Sequence, residues 1–574
     1  MEMQNIGYPS QDKPWLKYYT DEAINAPIPN ESLYDYMYKM NKDYLNDIAI
    51  NYFGTKITYG KLFEEIDKTA RAFIAQNVKQ GDVCTIVTLS CVPSVLCFYA
   101  LNKIGAASNY INVLSSQEDM EIYFKDASSD IVLTLDLFAE TVIKAAKNTN
   151  VKKIIVFSLA DWMPSITKLG FSLKMRGLNK DYLKNDIVLT WKDFIQNANG
   201  IQEIHYKKSP DSLCCLAHTG GTTGFPKTVE ISDRALNILA QQYDKTIVHG
   251  RQQVFLSVMI PFVIYGTLTN VHMPLCLGFE TVIIPKFDPK EWPDYIKKYR
   301  PQHLTAIPPY VAPMPDNKDL ENVDLSCLIT VGLGGDGLNI ALEEKINSFL
   351  KQHGSKARVV KGYGLTEVCA TLVTCNNYDN KVGSVGFPFP TNNMMIYSNE
   401  EERELSYNEI GEICVQSASK MMGYKDNVDA MKELFRIHAD GSEWIHTGDL
   451  GYIDNDGFLF LVGRMKRIIL TTQNGMAYKV YPNIVENIIT QNSAVNSVCV
   501  VGAKKEDDNV LKAYIVLESS CNENDISLIE KELRETCNRE LSEYMRPHYY
   551  EFVTELPLTA AGKVDFKKLE AGQK

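Results

Sequence analysis

The stretch from Cys215 to Ser232, CLAHTGGTTGFPKTVEIS, has the residue types of a phosphate-binding loop. Its glycines lack a Cβ and let backbone N–H groups turn toward one point, where the threonines and the lysine add further donors. An ordinary surface turn needs one glycine and not this density of donors. The sequence therefore predicts that a phosphate chain is held by Thr219, Gly220, Gly221, Thr222, Thr223, Gly224 and Lys227.

The loop differs from a Walker A motif, which has a lysine directly after its last glycine. In this chain Phe225 and Pro226 separate Gly224 from Lys227. The phosphate chemistry of the loop is therefore expected to be that of another class of enzyme.

A second glycine pattern, from Gly332 to Gly337, fits G-x-G-x-x-G between an apolar strand and a helix. That arrangement is typical of a dinucleotide-binding turn, whose next strand ends in an acidic residue for the ribose. Here Arg358-Val-Val is followed by Lys361. The glycine pattern makes an NAD-dependent oxidoreductase an alternative, and the missing acidic residue argues against it.

Short apolar strands alternate with helical stretches along most of the chain. Ile131 to Leu135 and Lys153 to Phe157 have strand character, and Asn339 to His353 has helix character. This alternation predicts an α/β fold with layered, mainly parallel sheets, and the loop-rich segment 376 to 411 predicts a small β-rich subdomain. The chain has 574 residues, more than a single hydrophobic core usually accommodates, so more than one domain is expected. The second is expected to be a small α+β domain after Gly463.

The composition is typical of a reduced, cytoplasmic compartment. The N-terminus, MEMQNIGYPSQDKPW, lacks the basic and apolar regions of a signal peptide, and the 13 cysteines form no zinc-spaced pairs. The apolar run from Val83 to Leu101 contains Pro93 and several hydroxyl groups, which favours a strand, a turn and a helix over a transmembrane segment. A net charge of -12 argues against a nucleic-acid partner.

Four further motifs follow the threonine-rich loop. They are GYGLTE from Gly362 to Glu367, TGD from Thr447 to Asp449, GRMK from Gly463 to Lys466, and PLTAAGK from Pro557 to Lys563. Each alone also fits a tight turn, a helix cap or an exposed basic residue. Together and in this order, the chain from about Asp47 onward resembles the adenylate-forming superfamily of acyl-CoA synthetases, aryl-CoA ligases, luciferases and amino-acid-activating domains.

The resemblance implies ATP, Mg²⁺ and coenzyme A as cofactors and an acyl-AMP intermediate. In such enzymes a carboxylate attacks the α-phosphate of ATP, pyrophosphate leaves, and a thiol then attacks the mixed anhydride. Thr222, Thr223 and Lys227 would hold the departing phosphates. The resemblance assigns the remaining nucleotide contacts to Gly334, Gly335, Asp336 and Tyr363 at the adenine, Gly364 in the same turn as Tyr363, Thr366 at the α-phosphate, Glu367 as the Mg²⁺ ligand, and Asp449 and Arg464 at the ribose.

The resemblance implies that the enzyme adopts two poses, one for each half-reaction, and assigns a lysine to the adenylating pose and another to the hinge between the poses. Lys563 would bridge the substrate carboxylate and the α-phosphate during adenylation. Lys466 would be the hinge about which a small domain rotates between the half-reactions. The resemblance thus implies an N-terminal ATP- and acyl-binding adenylation domain over residues 1–465 and a mobile C-terminal domain over residues 466–574 that carries the adenylation lysine.

The acid is expected to be a fatty or aromatic one. Amino-acid-activating relatives pair the substrate ammonium with an acidic residue, and the corresponding segment Ser257 to Asn270, SVMIPFVIYGTLTN, contains no carboxylate. The expected activity is ATP-dependent formation of acyl-AMP, then thioester formation with coenzyme A and release of AMP and pyrophosphate. A stand-alone enzyme that loads a phosphopantetheinyl carrier protein is the nearest alternative. A non-catalytic adenylate-binding protein is, like the oxidoreductase, an alternative of another class.

Overall fold

A computed structural model describes residues 6–175, 177, 180–202, 206–219, 226–473, 476–505, 508–518, 521–558 and 564–572. Helices in these ranges alternate with strands along most of the chain. They are α1 (Pro9–Asp12), α2 (Asp21–Ile24), α3 (Leu33–Asn41), α4 (Tyr59–Ala75), α5 (Val92–Lys103), α6 (Gln117–Asp126), α7 (Ala139–Ala146), α8 (Ser165–Lys174), α9 (Trp191–Gln196), α10 (Asp233–Thr246), α11 (Ile264–Thr267), α12 (Met273–Cys276), α13 (Trp292–Tyr299), α14 (Pro308–Val311), α15 (Ile340–Gln352), α16 (Val428–Leu434), α17 (Pro482–Ile489), α18 (Ile526–Glu540) and α19 (Phe566–Ala571).

The largest sheet has nine strands. In chain order they are β1 (Ile48–Tyr52), β2 (Thr55–Thr58), β10 (Val254–Ser257), β11 (Glu280–Ile283), β12 (His303–Ala306), β13 (Thr330–Leu333), β14 (Val359–Tyr363), β15 (Val373–Thr374) and β16 (Phe387–Pro388). Their spatial order is β16-β15-β14-β13-β12-β10-β11-β1-β2. The central pairs are parallel, whereas β2, β15 and β16 pair in the antiparallel sense.

A second, eight-stranded sheet is also mainly parallel. Its strands are β3 (Val83–Val87), β4 (Ala107–Ile111), β5 (Ile131–Leu135), β6 (Lys153–Phe157), β7 (Val188–Thr190), β8 (Leu213–His218), β9 (Thr228–Ser232) and β20 (Gly423–Tyr424), in the order β20-β9-β8-β4-β3-β5-β6-β7. Only the pairs of β9 with β8 and with β20 are antiparallel among its ladders. The threonine-rich loop connects β8 to β9.

The remaining sheets are smaller. An antiparallel sheet contains β17 (Asn392–Ser398), β18 (Arg403–Glu404), β19 (Gly411–Ser417), β21 (Phe435–Ile437), β22 (Glu443–Ile453) and β23 (Leu459–Arg464). After it come a hairpin of β24 (Ile469–Gln473) and β25 (Met476–Val480), and a three-stranded sheet of β26 (Val495–Lys505), β27 (Asp508–Leu517) and β28 (Pro547–Phe552). The predicted α/β class, with a β-rich subdomain and a small α+β C-terminal region, is confirmed.

Several elements begin and end where the sequence predicts. β5 and β6 coincide with the predicted strands, and α15 lies within the predicted helix. The apolar run that begins at Val83 forms β3 and then α5, whose residues are all buried and mostly apolar. Among the described residues, no helix is both long and apolar enough to cross a membrane.

Helix α15 connects two adjacent parallel strands, and an N-cap sets where it begins. Asn339 Oδ1 accepts a hydrogen bond from the Leu342 N–H at 2.8 Å, so the helix begins at Ile340. The helix connects β13 to β14, which pair in register at Gly332 and Val360. The carboxyl ends of these two strands therefore meet at one edge of the sheet.

A buried ion pair joins α15 to β14. Lys361 Nζ lies 2.5 Å from Glu343 Oε1, and both side chains are at most 5% exposed. Lys361 also donates to the Lys381 carbonyl, and Glu343 Oε2 accepts from the Gly383 N–H. Lys361 is thus the partner of a helix carboxylate directly before the GYGLTE turn. A basic residue that pairs with the helix therefore stands where a dinucleotide-binding fold has its acidic residue.

Replacement of Lys361 by methionine is expected to destabilise the protein by about 3–5 kcal/mol, because the Glu343 carboxylate would remain buried without its cation. Urea unfolding measures the change. The double variant Lys361→Met/Glu343→Leu should recover most of the loss. Lys345→Met on the same helix is the matched control, since its pair with Asp316 is exposed and is expected to contribute at most about 1 kcal/mol. Equal losses for the two single lysine variants would contradict this account.

Candidate active site

The candidate site lies where β13 and β14 end. The turn after β13 contains Gly334 and Gly335, and Gly335 adopts a φ of +81° that favours glycine. A Cβ at Gly334 would lie 3.1 Å from the Tyr265 ring, so the backbone and this aromatic face approach each other closely. Asp336 is exposed in the same turn and accepts from the Gly337 N–H at 2.8 Å.

The GYGLTE turn is held rigidly after β14. A Cβ at Gly364 would lie 1.9 Å from the Ala370 carbonyl oxygen, which excludes any other residue at this position. Two non-glycine residues that follow, Cys369 and Ala370, have φ values of 63° and 98°. Strained backbone of this kind persists only where the surroundings hold it. The turn thereby fixes Thr366 and Glu367 at the start of a short 3₁₀ helix.

Asp449 connects the nine-stranded sheet to the antiparallel sheet. Its Oδ2 accepts from the Tyr363 hydroxyl at 2.7 Å, and its Oδ1 lies 2.7 Å from Arg464 Nε. Asp449 and Arg464 are also direct partners in the β22–β23 ladder. Burial, and next the charge of Asp449, raise the pKa of Tyr363 well above its usual range, so its phenol stays a hydrogen-bond donor.

The TGD turn is fixed by a neighbouring carboxylate. Glu412 Oε1 accepts from the Gly448 N–H at 3.0 Å, and Glu412 Oε2 lies 2.8 Å from His446 Nδ1. Gly448 has a φ of +71°, a conformation that glycine adopts without strain. These contacts fix the backbone of the turn and thereby the position of Asp449, which follows it.

Glu367 and Lys227, which follows the glycines of the threonine-rich loop, meet at Tyr424. The Tyr424 hydroxyl donates to Glu367 Oε1 at 2.6 Å, and Lys227 Nζ lies 4.6 Å from the centre of the Tyr424 ring. Burial and the Glu367 carboxylate raise the pKa of Tyr424, which keeps its hydroxyl protonated. Three segments distant in sequence therefore place a carboxylate, a phenol and a lysine together.

The two ends of the threonine-rich loop are tied to each other. The Thr219 N–H donates to the Lys227 carbonyl at 3.0 Å, and the Lys227 N–H donates to Thr219 Oγ1 at 3.1 Å. The predicted phosphate-binding positions between them, Gly220, Gly221, Thr222, Thr223 and Gly224, lie outside the described residues. The same holds for the predicted catalytic lysine, Lys563.

Lys466 lies between two anchored arginines. It is exposed in a 3₁₀ turn, Met465–Arg467, that connects β23 to β24. The preceding Arg464 pairs with Asp449, whereas the following Arg467 pairs with Glu486 at 2.8 Å. The guanidinium of Arg467 also stacks over Phe566, with 5.1 Å to the ring centre. The chain is thus anchored on different sides before and after Lys466.

A narrow, mostly apolar cavity lies beside this edge of the sheet. Tyr265, which contacts Gly334, also lines the cavity. The other lining residues come from α10 and the residue after it, from α12, and from strands β10 and β12 to β15. They are Tyr243, Ile247, Phe255, Met273, His303, Leu304, Thr305, Thr330, Gly332, Leu333, Val360, Gly362 and Thr374. No carboxylate is among these lining residues. The cavity and the turn after β13 therefore share one side chain.

Sequence reasoning missed three residues that organise the site. Tyr424 contacts both Glu367 and Lys227, Tyr265 covers Gly334, and Arg467 anchors the chain after Lys466. Tyr265 stands in the segment that the sequence assigns to the acid. Tyr424 and Arg467 have no motif of their own, and only their contacts in the fold distinguish them from other tyrosines and arginines.

Comparison with known proteins identifies the family of this chain. Residues 39–425 match the AMP-binding enzyme family, and residues 484–563 match the AMP-binding enzyme C-terminal domain. The long-chain-fatty-acid–CoA ligase of Bacillus subtilis (strain 168) is 29% identical over 97% of each chain. A probable 4-coumarate–CoA ligase of Dictyostelium discoideum is 27% identical, over 96% of this chain and 97% of that one.

Solved structures share the fold over almost the whole length. The anthranilate CoA ligase AuaEII in complex with anthranoyl-AMP has a TM-score of 0.81 at 22% identity and covers 96% of this chain and 99% of its own. The ATP-bound RpMatB-BxBclM chimera B1 has a TM-score of 0.80 at 21% identity, over 95% and 99% of the two chains. Since the first family match alone spans most of the sequence, the protein belongs to the AMP-binding enzyme family.

Proposed function

We propose that the protein joins a carboxylic acid to coenzyme A in two steps, using ATP and releasing AMP and pyrophosphate. The observation that carries this proposal is the shared side chain of Tyr265, which lines the apolar cavity and contacts Gly334 in the nucleotide-facing turn. An acid whose tail lies in the cavity would present its carboxylate beside a nucleotide at this turn. Such proximity converts a bimolecular attack into a step within one complex.

In the first step a carboxylate oxygen attacks the α-phosphorus, and the bond to the pyrophosphate oxygen breaks. Lys227 and the threonines of its loop would bind the departing phosphates, and Thr366 would contact the α-phosphate. Lys563 would offset the repulsion between the carboxylate and the phosphate. The ribose would be held by Asp449 and Arg464.

Glu367 has the chemistry of a Mg²⁺ ligand. Hard cations prefer carboxylate oxygens, and the one hydrogen bond described for this carboxylate, from Tyr424, uses Oε1. The ion, when bound with ATP, would neutralise phosphate charge. Tyr424 orients the carboxylate, and Lys227 adds a second positive charge on the same side.

In the second step the thiol of coenzyme A attacks the carbonyl carbon, the thiol proton is lost, and AMP leaves. Lys563 cannot occupy the path of the thiol at that moment, so we propose that residues 466–574 rotate as a C-terminal domain about Lys466 relative to residues 1–465. The anchoring of Arg464 and Arg467 on different sides supports a hinge between them.

A fatty or aromatic acid is the proposed substrate. The Bacillus subtilis relative is named as a ligase of long-chain fatty acids, and the Dictyostelium relative as a probable ligase of 4-coumarate. The residues that line the cavity are mostly apolar and include no carboxylate. Loading of a phosphopantetheinyl carrier protein is the alternative second step. A cytoplasmic location is also proposed, because all thirteen cysteines are free thiols and most are buried.

The proposed activity is tested with purified protein, ATP, Mg²⁺ and a panel of fatty and aromatic acids. We expect acid-dependent exchange of labelled pyrophosphate into ATP without coenzyme A, and thioester and AMP in equal amounts once coenzyme A is added. Thioester formed only on a phosphopantetheinyl protein would favour the alternative acceptor. Absence of exchange with every acid would contradict the proposal.

The two-pose cycle predicts opposite defects for two lysine variants. Lys563→Ala should slow adenylation at least about a hundredfold, because it removes a transition-state cation, yet still convert preformed acyl-adenylate to thioester. Lys466→Pro should form acyl-adenylate but make thioester at least about tenfold more slowly, because proline fixes φ near about −65°. Separate measurement of the two half-reactions gives both results.

Lys466→Ala is the matched control, since it removes the side chain but leaves φ free, and it should retain most of both half-reactions. Equal loss of both half-reactions in Lys466→Pro would indicate misfolding. Normal thioester formation in Lys466→Pro would mean that the protein does not rotate about this residue.

A further inference from the structure

His303 lines the end of the cavity that is remote from the nucleotide-facing turn. It is the first residue of β12, and β12 runs parallel to β13 with Ala306 opposite Leu333 and His303 opposite Thr330. The turn with Gly334 follows Leu333, so His303 lies about 10 Å along the strand from the edge where that turn begins. The residue is 1% exposed.

The hydrogen bonds of His303 define its tautomer. Its Nε2 lies 2.8 Å from Gln253 Oε1, and the Gly250 N–H donates to that same oxygen at 2.8 Å. A backbone N–H can only donate, so the Gln253 atom is the amide oxygen and His303 Nε2 carries the proton. In the neutral ring Nδ1 is then a bare acceptor.

Nδ1 of His303 has no hydrogen-bond partner in the described part of the chain. The threonines that line the same cavity do have partners: Thr305 Oγ1 accepts from Asn270, Thr330 Oγ1 accepts from Asn377, and Thr374 Oγ1 donates to the Lys361 carbonyl. A buried acceptor left unsatisfied destabilises a protein by about 1–3 kcal/mol. Because His303 belongs to the wall of the cavity, its Nδ1 is an acceptor there that the described part of the protein leaves unused.

The imidazole stays neutral in this environment. Burial, and next the nearby His249, lower the pKa of His303 to about 3. The ring therefore gives no cation for an anionic group, and its bare nitrogen repels one. An ammonium would donate to Nδ1, but it would lie in the cavity without a counter-charge, since the lining residues include no carboxylate. A neutral hydroxyl is the donor that this end of the cavity fits.

We propose that His303 Nδ1 accepts a hydrogen bond from a hydroxyl group at the far end of the acid, so that the protein prefers acids hydroxylated away from their carboxylate. The inference rests on the proposed activity and names its substrate class. The hydroxyl can be carried by an aliphatic chain or by an aromatic ring, and both present the same donor.

The test uses pairs of acids that differ only in a terminal hydroxyl, in a series of straight-chain acids of increasing length and in aryl acids with and without a ring hydroxyl. Acid-dependent exchange of pyrophosphate gives kcat/KM for each member. For the pair whose hydroxyl reaches His303, we expect the wild-type protein to prefer the hydroxylated acid about fivefold to tenfold. Whether that pair is aliphatic or aromatic identifies the source of the hydroxyl. Terminal dicarboxylic acids should be poor substrates.

His303→Phe should abolish the preference while the unhydroxylated acid is still activated, because phenylalanine fills the site without an acceptor. Thr330→Val is the matched control: it makes the adjacent cavity wall apolar but leaves Nδ1 in place, so the preference should remain. Equal wild-type ratios would refute the inference even if His303→Phe does not fold, and His303→Leu, which also lacks an acceptor, is the second variant for the assignment to His303.

Activation of both members of every pair with equal kcat/KM would overturn the inference and leave the proposed activity intact. A preference that persists in His303→Phe would also overturn it. Absence of exchange with every acid would overturn the proposed activity, and the inference with it.

Discussion

The arrangement depends most on the carboxylate of Asp449. Its two oxygens contact Tyr363 at the end of β14 and Arg464 at the end of β23, so one side chain joins two sheets. The Asp449 side chain is 9% exposed, whereas the Arg464 side chain is 59% exposed. A pair this open to solvent contributes little to stability, about 1 kcal/mol at most. Its main effect is orientation, because Arg464 is the last anchored residue before the proposed hinge.

Rigid turns surround this carboxylate, and the proposed moving part begins just beyond it. Gly364 touches the Ala370 backbone, and Glu412 binds the N–H of Gly448, so neither turn can shift without a clash or an unpaired buried acceptor. The pair of Glu343 and Lys361 ties β14 to α15. Rigid turns next to the proposed moving part are consistent with two half-reactions that share one pocket but need different partners.

The sequence predicts the class of fold and the motifs, because both depend on local patterns. The alternation of apolar strands and helices gives β5, β6 and α15 almost to the residue. Glycine positions reveal the turns, since Gly335 and Gly364 meet steric constraints that other residues cannot. Within the described residues, the predicted positions Tyr363, Asp449 and Arg464 come together.

What the sequence does not predict is contact between distant segments of ordinary composition. Tyr424 lies on the edge strand β20 of the second sheet, and only the pairing of β20 with β9 brings it to Lys227. The free nitrogen of His303 is likewise invisible in a sequence, since it follows from a hydrogen bond with Gln253, fifty residues away. The G-x-G-x-x-G pattern is ambiguous for the same reason, because Asp449, the residue proposed to bind the ribose, comes from another sheet.

The proposed role of Asp449 at the ribose is the central claim, and Asp449→Asn tests it most directly because the amide keeps the shape of the carboxylate. Acid-dependent pyrophosphate exchange measures kcat/KM for ATP, and a thermal unfolding curve checks the fold. The account predicts a loss of about a hundredfold with an almost unchanged midpoint, since hydrogen bonds to a charged group contribute about 1.5–3 kcal/mol each. Exchange at the wild-type rate with an unchanged KM for ATP would contradict it.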